Sequence, residues 1–435
     1  VYTDKVTNRV KYIFNLIFRD ILNVEVRFIS DKDEFSKAEG TKISYGKIPV
    51  GDELFFAAGT ILYERGIGHK ELAFIEHAGL PAFFPVYNQN AALPFDVFGA
   101  SFYLVTRYEE YLPYKKDEYG RFSAAESLAF QKGFLHKPIV NIWAYQIGKL
   151  LVEKYPGFRF TGKKYTFTPT IDIDAAWAFR QKGLFRTAGG YMNALVKLDF
   201  REIAERTRVL AGLQNDPFDT YAFQHQIHKK YKLNPVYFIL FGEYGLNDKN
   251  IPVKSRKFHT LIKSLSDYNK VGIHPSFNSN HYPKRLKLEK ERLSRVLNRE
   301  VTCSRQHFLI LQLPSTYRNL INLDITDEYS MGFASQPGFR AGICSTYKFF
   351  DLEMDVETKL NIHPFTYMEG TLRDYMQISA TEALNVIKPL IDEVKSVNGT
   401  FIPIWHNESI GGVKRCEGWQ KVYEDMIRYA IKTTI

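Results

Sequence analysis

The chain has 435 residues, with 58 Lys and Arg against 48 Asp and Glu, a formal charge of +10, and three cysteines. At 45% hydrophobic and 24% charged residues it falls among globular sequences, which excludes a disordered or collagen-like chain. No stretch approaches the ~20 uninterrupted apolar residues of a membrane-spanning helix, so no transmembrane segment is expected. Cys303, Cys344 and Cys416 are far apart with no CxxC spacing, which argues against a disulfide framework and a cysteine zinc site. The basic runs (Lys115-Lys116, Lys163-Lys164, Lys284 to Arg292) are separated along the chain and read as solvated faces rather than a nucleic-acid groove. The opening VYTDKVTNRVKYIF lacks a basic segment, an apolar core and a small-residue cleavage site, so a cytoplasmic location is expected.

An apolar-periodic helix is predicted around Val10 to Leu22, followed by an alternating strand from Val24 to Ile29. Ser44 to Pro49 reads as a strand ended by a turn, Phe95 to Tyr111 as an aromatic-rich helix, and Lys137 to Lys154 as a second helix. Tyr108, Glu109 and Glu110 lie inside a helical pattern and read as packing and surface. Pro156-Gly157 and Gly162 punctuate two apolar stretches, which divides the chain into a smaller α/β domain of unknown role, residues 1–160, and a second domain, residues 161–435.

In the second domain short apolar strands alternate with longer helical or irregular segments, the rhythm of βα units around a parallel sheet. Strands are predicted near Tyr165 to Ile173, Val236 to Phe241, Lys270 to Ile273, Phe308 to Leu313, Gly338 to Arg340, Lys359 to Ile362 and Thr400 to Trp405. A barrel of βα units with about seven strands is the economical assembly. Lys284 to Arg295 reads as an amphipathic surface helix.

The polar residues of this domain gather at or just beyond the C-terminal ends of those strands, where a barrel has its catalytic mouth. Asp172 and Asp174 stand two residues apart on a strand, so they face one way with Cα atoms about 6.6 Å apart. One can bind a metal while the other accepts a proton. His274 ends a second strand and suits a zinc or transition-metal site, and His406 follows an apolar strand and suits a general acid. Arg340, set in Gly338-Phe339-Arg340-Ala341-Gly342, is a buried guanidinium in need of an acid, for which Asp172 is the expected partner.

Asp172-Ile173-Asp174, His274-Pro275-Ser276-Phe277-Asn278, Arg340 and Ile404-Trp405-His406 resemble, in order and over roughly Tyr165 to Ile435, the motifs of the polysaccharide deacetylase family, carbohydrate esterases with the NodB homology domain. Residues 1–160 look like the uncharacterised α/β extension that precedes such a domain in some bacterial proteins. The resemblance implies a distorted barrel that uses a divalent metal, zinc with cobalt or nickel as alternatives, to remove N- or O-linked acetyl groups from a cell-envelope or exopolysaccharide sugar. It implies Asp172 as base, Asp174 and His274 as metal ligands, Arg340 as the residue orienting the base, and His406 as acid. The family's second motif histidine is replaced by Asn278, so the third ligand is left open among Asn278, His281 and His363. An acidic and Trp motif of the family is not found. Trp405, Tyr367 and Phe365 are expected to stack on sugar faces. The alternatives are a non-catalytic carbohydrate-binding relic of the same fold and a small-molecule metal-dependent amidohydrolase.

Overall fold

The computed structural model describes residues 1–432, so residue 435, the expected end of the second domain, lies outside the described residues. The first apolar period forms a helix from Asn8–Phe14 that widens to π geometry over Asn15–Ile21. Its buried side chains Val10, Ile13, Phe14, Ile17 and Ile21 recur at three- and four-residue steps, and Phe14 stacks on Phe98 of the wholly buried helix Val97–Val105 at 3.9 Å. Helix Ile139–Lys154 packs into the same core. The parallel pair β1 (Ile43–Gly46) and β2 (Leu54–Ala57) and the hairpin β3 (Phe74–His77) and β4 (Leu80–Phe83) complete the region. Val24 to Ile29 forms no strand. Its alternation half-buries Val24, Val26 and Phe28 against the core, but its one ladder contact is an isolated bridge between Ile29 and Tyr2.

The remaining strands are β5 (Thr166–Phe167), β6 (Thr170–Ile173), β7 (Val236–Leu240), β8 (Lys270–His274), β9 (Cys303–Ser304), β10 (Asp327–Glu328), β11 (Tyr347–Asp351), β12 (Val356–Ile362), β13 (Tyr367–Met368), β14 (Thr400–Phe401) and β15 (Pro403–His406). Nine of them form one sheet in the order β11-β12-β10-β9-β8-β7-β6-β15-β13, parallel throughout except for β11 against β12. β14 pairs separately with β5. The strands β6 and β7 are buried along their whole length, as a sheet covered on both faces requires.

No pairing among the described residues joins β13 to β11, so the sheet is open rather than the expected closed barrel. Two predicted strands are absent for a physical reason. Gly338 to Arg340 runs as a loop whose backbone bonds go elsewhere, Gly338 N–H to Thr366 O (2.7 Å) and Phe339 N–H to Leu135 O (2.8 Å). Phe308 to Leu313 begins with two left-handed residues, Phe308 (φ 58°) and Leu309 (φ 54°), which no strand accommodates. No described helix is long and apolar enough to cross a membrane.

The two regions share one hydrophobic cluster, in which the first helices meet Phe333, Tyr347, Phe350, Leu360 and Ile362. Between them lies a buried ion cluster. Glu110 accepts from Arg107 Nε (2.6 Å) and from Arg340 Nε and Nη2 (2.9 and 2.6 Å), while Arg340 Nη1 donates to Gly332 O (3.0 Å). Burial opposes the charge on Glu110, but Arg340 and Arg107 outweigh it and hold the carboxyl below its usual range. This corrects the expected role of Arg340: its acid is Glu110, 230 positions earlier, and not Asp172. Replacing Glu110 by Ala leaves buried Arg340 without a carboxylate and Arg107 with Glu109 alone (2.7 Å), so a loss of about 3–5 kcal/mol is predicted in urea unfolding.

Candidate metal and acid/base site

The sheet's C-terminal edge gathers the chemistry. β6 carries Asp172 at a buried position and releases Asp174 just past its end, and the register pairs Asp172 with His406 of β15. His274 is the last residue of β8. Gly272 lets β9 come close, since a Cβ there would lie 2.7 Å from Cys303 O. That approach extends beyond the two-residue strand, with Arg305 N–H on Ile273 O (3.1 Å) and His307 N–H on Pro275 O (3.3 Å), and it brings Arg305 and His307 into the site.

Asp174, His274 and His307 offer ligand atoms that all lie within 4.8 Å of one another. The Nε2 of His274 is 3.3 Å from Asp174 Oδ1 and that of His307 is 3.6 Å from Asp174 Oδ2. Each ring is held by its other nitrogen: His274 Nδ1 bonds Arg305 O (2.5 Å) and His307 Nδ1 bonds the buried Asp248 (2.8 Å). Both Nε2 atoms are thus aimed at one centre, the usual support for metal-ligating histidines. Asp174 Oδ1 is buried without a hydrogen-bond partner. A two-histidine, one-carboxylate set with an unspent carboxylate oxygen fits a divalent ion such as zinc, with coordination left for water and substrate. Burial opposes ionisation of Asp174, yet His307, His274 and His406 together hold its carboxyl well below the ordinary range.

Two further groups flank the trio. Asp172 Oδ1 accepts from Arg305 Nη1 (2.8 Å), and its Oδ2 is 3.8 Å from His274 Nε2. Arg305 is fixed in turn by Tyr329 O (3.0 Å) and lies over the Phe238 ring at 4.5 Å. His406 Nε2 is 3.8 Å from Asp174 Oδ2, and its Nδ1 bonds Glu369 Oε1 (2.8 Å), which also accepts from Ser409 Oγ (2.6 Å). Burial works against a charged ring, but Glu369, with Asp174 and Asp172 beyond it, pushes the His406 pKa up to about 10.

The structure therefore brings together Asp172, Asp174, His274 and His406, and leaves the other expected residues outside. His363 bonds Asp327 (2.7 Å) and Thr346 (3.0 Å) and stacks on Tyr329 at 4.3 Å. Asn278 and His281 sit in and after the short turn Phe277–Asn280 and do not line the cleft. Trp405, Tyr367 and Phe365 are fully buried: Trp405 donates to Tyr367 Oη (3.2 Å) and packs on Tyr423, and Phe365 covers Gly332. Sugar stacking is closed to them. Instead the cleft, about 700 Å³, is rimmed by Tyr119, Phe308 and Tyr375, with Arg121, Arg373 and Arg415 among its charged walls. Tyr119 lies 5.0 Å from Phe308, and Arg121 donates to Phe308 O (2.8 Å) and Tyr375 Oη (3.3 Å).

Sequence reasoning missed Arg305, His307, Asp248 and Glu369. A signal existed for two of them in Ser304-Arg305-Gln306-His307, but the more apolar Phe308 to Leu313 beside it drew the strand assignment away.

A family of unknown function, DUF7033, matches residues 1–156. No curated protein matches the chain. Among solved structures, a chain from Mycobacterium smegmatis described as a polysaccharide deacetylase shares 12% identity at a TM-score of 0.41, covering 62% of this chain and 86% of that one. Puue allantoinase shares 9% identity at a TM-score of 0.35, covering 61% and 89%. A CE4 family pseudoenzyme from Bacillus anthracis shares 10% identity at a TM-score of 0.28, covering 61% and 60%. At these identities and scores the functional reading rests on the side chains alone.

Metal analysis of the purified chain after chelation and re-addition of zinc is predicted to give one ion per chain. Asp174→Ala, His274→Ala and His307→Ala each abolish stoichiometric binding, and Asp248→Ala weakens it by about 10–100-fold. Asn278→Ala, His281→Ala and His363→Ala leave the stoichiometry at one.

Proposed function

We propose that this chain is a divalent-metal-dependent hydrolase that removes acetyl groups, N- or O-linked, from a cell-envelope or exopolysaccharide sugar. The observation that carries the reading is the meeting, in one cleft, of a three-ligand set with an arginine-held carboxylate and a carboxylate-held histidine. Asp174, His274 and His307 would hold the ion, zinc by preference for two imidazoles and a carboxylate. When bound, such an ion polarises an acyl carbonyl and acidifies water.

The chain's own groups do the proton work. Arg305 pins Oδ1 of Asp172, so Oδ2 is the atom available to take a proton from the attacking water. His406, whose protonated ring Glu369 favours, gives its Nε2 proton to the departing nitrogen or oxygen. Asp172 borders the ligand trio at His274 and His406 borders it at Asp174, so both reach the space beside the ion. Tyr119, Phe308 and Tyr375 supply the apolar faces at the cleft mouth on which sugar rings stack. Residues 1–160 serve as a platform that contributes one wall, through Tyr119 and Arg121. The reading as a binding relic rests on Asn278 and on the missing acidic motif, and His307 offers the ligand atom that Asn278 does not.

Release of acetate from acetylated oligosaccharides is the direct assay. Asp172→Asn and His406→Ala are each predicted to lower turnover by about 10²–10⁴-fold with metal content unchanged. Glu369→Gln acts in the same direction through His406. Acetate release that survives both Asp172→Asn and His406→Ala would falsify the assignment.

A further inference from the structure

After Asp174 the chain leaves the sheet and builds a lobe of two helices, Leu184–Val196 and Phe200–Leu210, before returning at Asp216. The buried Asp216 carboxylate closes its neck by accepting from the N–H groups of Ala178 (2.7 Å), Phe179 (2.9 Å) and Arg180 (3.1 Å). The inner side of the lobe buries Ala194 and Val209 together with Arg206. Arg206 donates to Glu202 (2.6 Å) and lies over the rings of Phe179 (4.7 Å) and Tyr191 (5.5 Å), and the Tyr191 and Thr207 hydroxyls bond at 2.9 Å.

The outer side is apolar, the reverse of what a helix on a globular surface presents. Phe185, Ala188, Met192, Leu195 and Val196 follow one another at three- and four-residue steps and are all exposed, Phe185 to 95% and Val196 to 78%. Leu198 and Phe200 continue the stripe around the turn. Nine of the 22 large apolar side chains exposed among the described residues fall between Leu184 and Leu213. Solvent-facing apolar surface of this density marks an interaction site. Residues 180–213 also carry seven Lys and Arg against three Asp and Glu, and Lys197, Arg201 and Arg208 are exposed beside the stripe.

We propose that this lobe docks the protein on an anionic lipid surface, with the apolar stripe entering the headgroup boundary and the flanking cations meeting lipid phosphates. Apolar stripe plus net positive charge is the pattern of an interfacial helix. Helices of 13 and 11 residues reach only about 20 and 16 Å, short of the ~30 Å hydrocarbon core, so the lobe lies on a bilayer rather than through it. A second copy of the chain is a poorer occupant, because a two-fold contact would set the same cations against themselves. Glu205 on the second helix pairs with Lys414 (3.0 Å), the neighbour of the cleft residue Arg415, which ties the lobe to a segment that reaches the cleft. The inference is independent of the catalytic reading.

The test is co-sedimentation of the full chain with vesicles of phosphatidylcholine alone and of phosphatidylcholine mixed with phosphatidylglycerol, at low and high salt. Binding to the mixed vesicles is expected to exceed that to the neutral ones by at least about tenfold and to weaken with salt. Phe185→Asp with Leu195→Asp is expected to abolish it, and Lys197→Glu with Arg201→Glu to cut it by about tenfold, at unchanged thermal unfolding. If the first variant fails to fold, the second carries the test. No preference for anionic vesicles, or equal binding by a folded variant, overturns the proposal. So does a dimer that Phe185→Asp dissolves in a chain that ignores vesicles, which would make the stripe a contact between copies.

Discussion

Charge buried at the end of a parallel sheet must be partnered, and the site follows from how that need is met. A lone ion in the interior is penalised heavily, and breaking a buried pair costs about 3–5 kcal/mol. The ionisable groups beside Asp174 have accordingly been given partners from other segments of the chain: Arg305 for Asp172, Asp248 for His307, Glu369 for His406. These partners also fix orientation. A ring tied at Nδ1 can turn only its Nε2 to the centre, and a carboxylate tied at one oxygen offers the other. Stability and chemistry therefore make the same demand, and the cleft is organised before anything binds in it.

The same logic joins the two regions of the chain. Arg340, Glu110 and Arg107 form a buried cluster across the sequence boundary, and Arg121 holds the carbonyl of Phe308, a left-handed residue next to His307. Strained backbone persists only where its surroundings over-determine it. Here the surroundings include a loop from residues 117–121, so the first region supports the turn that carries His307 as well as a wall of the cleft.

Much of this was legible in the sequence where an apolar run ends in a polar side chain. β6, β8 and β15 are long and buried enough to show as strands, and Asp172, Asp174, His274 and His406 sit at or just past their ends. β9, β10 and β13 are two residues each, too short for any periodicity, and the groups that follow β9 and β13, Arg305, His307 and Glu369, went unseen with them. Arg340 shows the limit of local reasoning. Its apolar, glycine-flanked setting indicated a buried guanidinium in need of an acid, but which acid depends on a fold that brings position 110 to position 340. The aromatics went astray likewise: Trp405, Tyr367 and Phe365 are near the mouth in sequence yet face the core, whereas Tyr119 reaches the rim from the other region.

The central claim, that Asp174, His274 and His307 form one metal centre, is tested most directly by anomalous diffraction at the zinc edge from crystals grown with zinc. The account predicts a single strong peak bounded by these three side chains, with Zn–N distances of about 2.0–2.1 Å. A peak at His363 or His281 instead, or none within reach of Asp174, would contradict it.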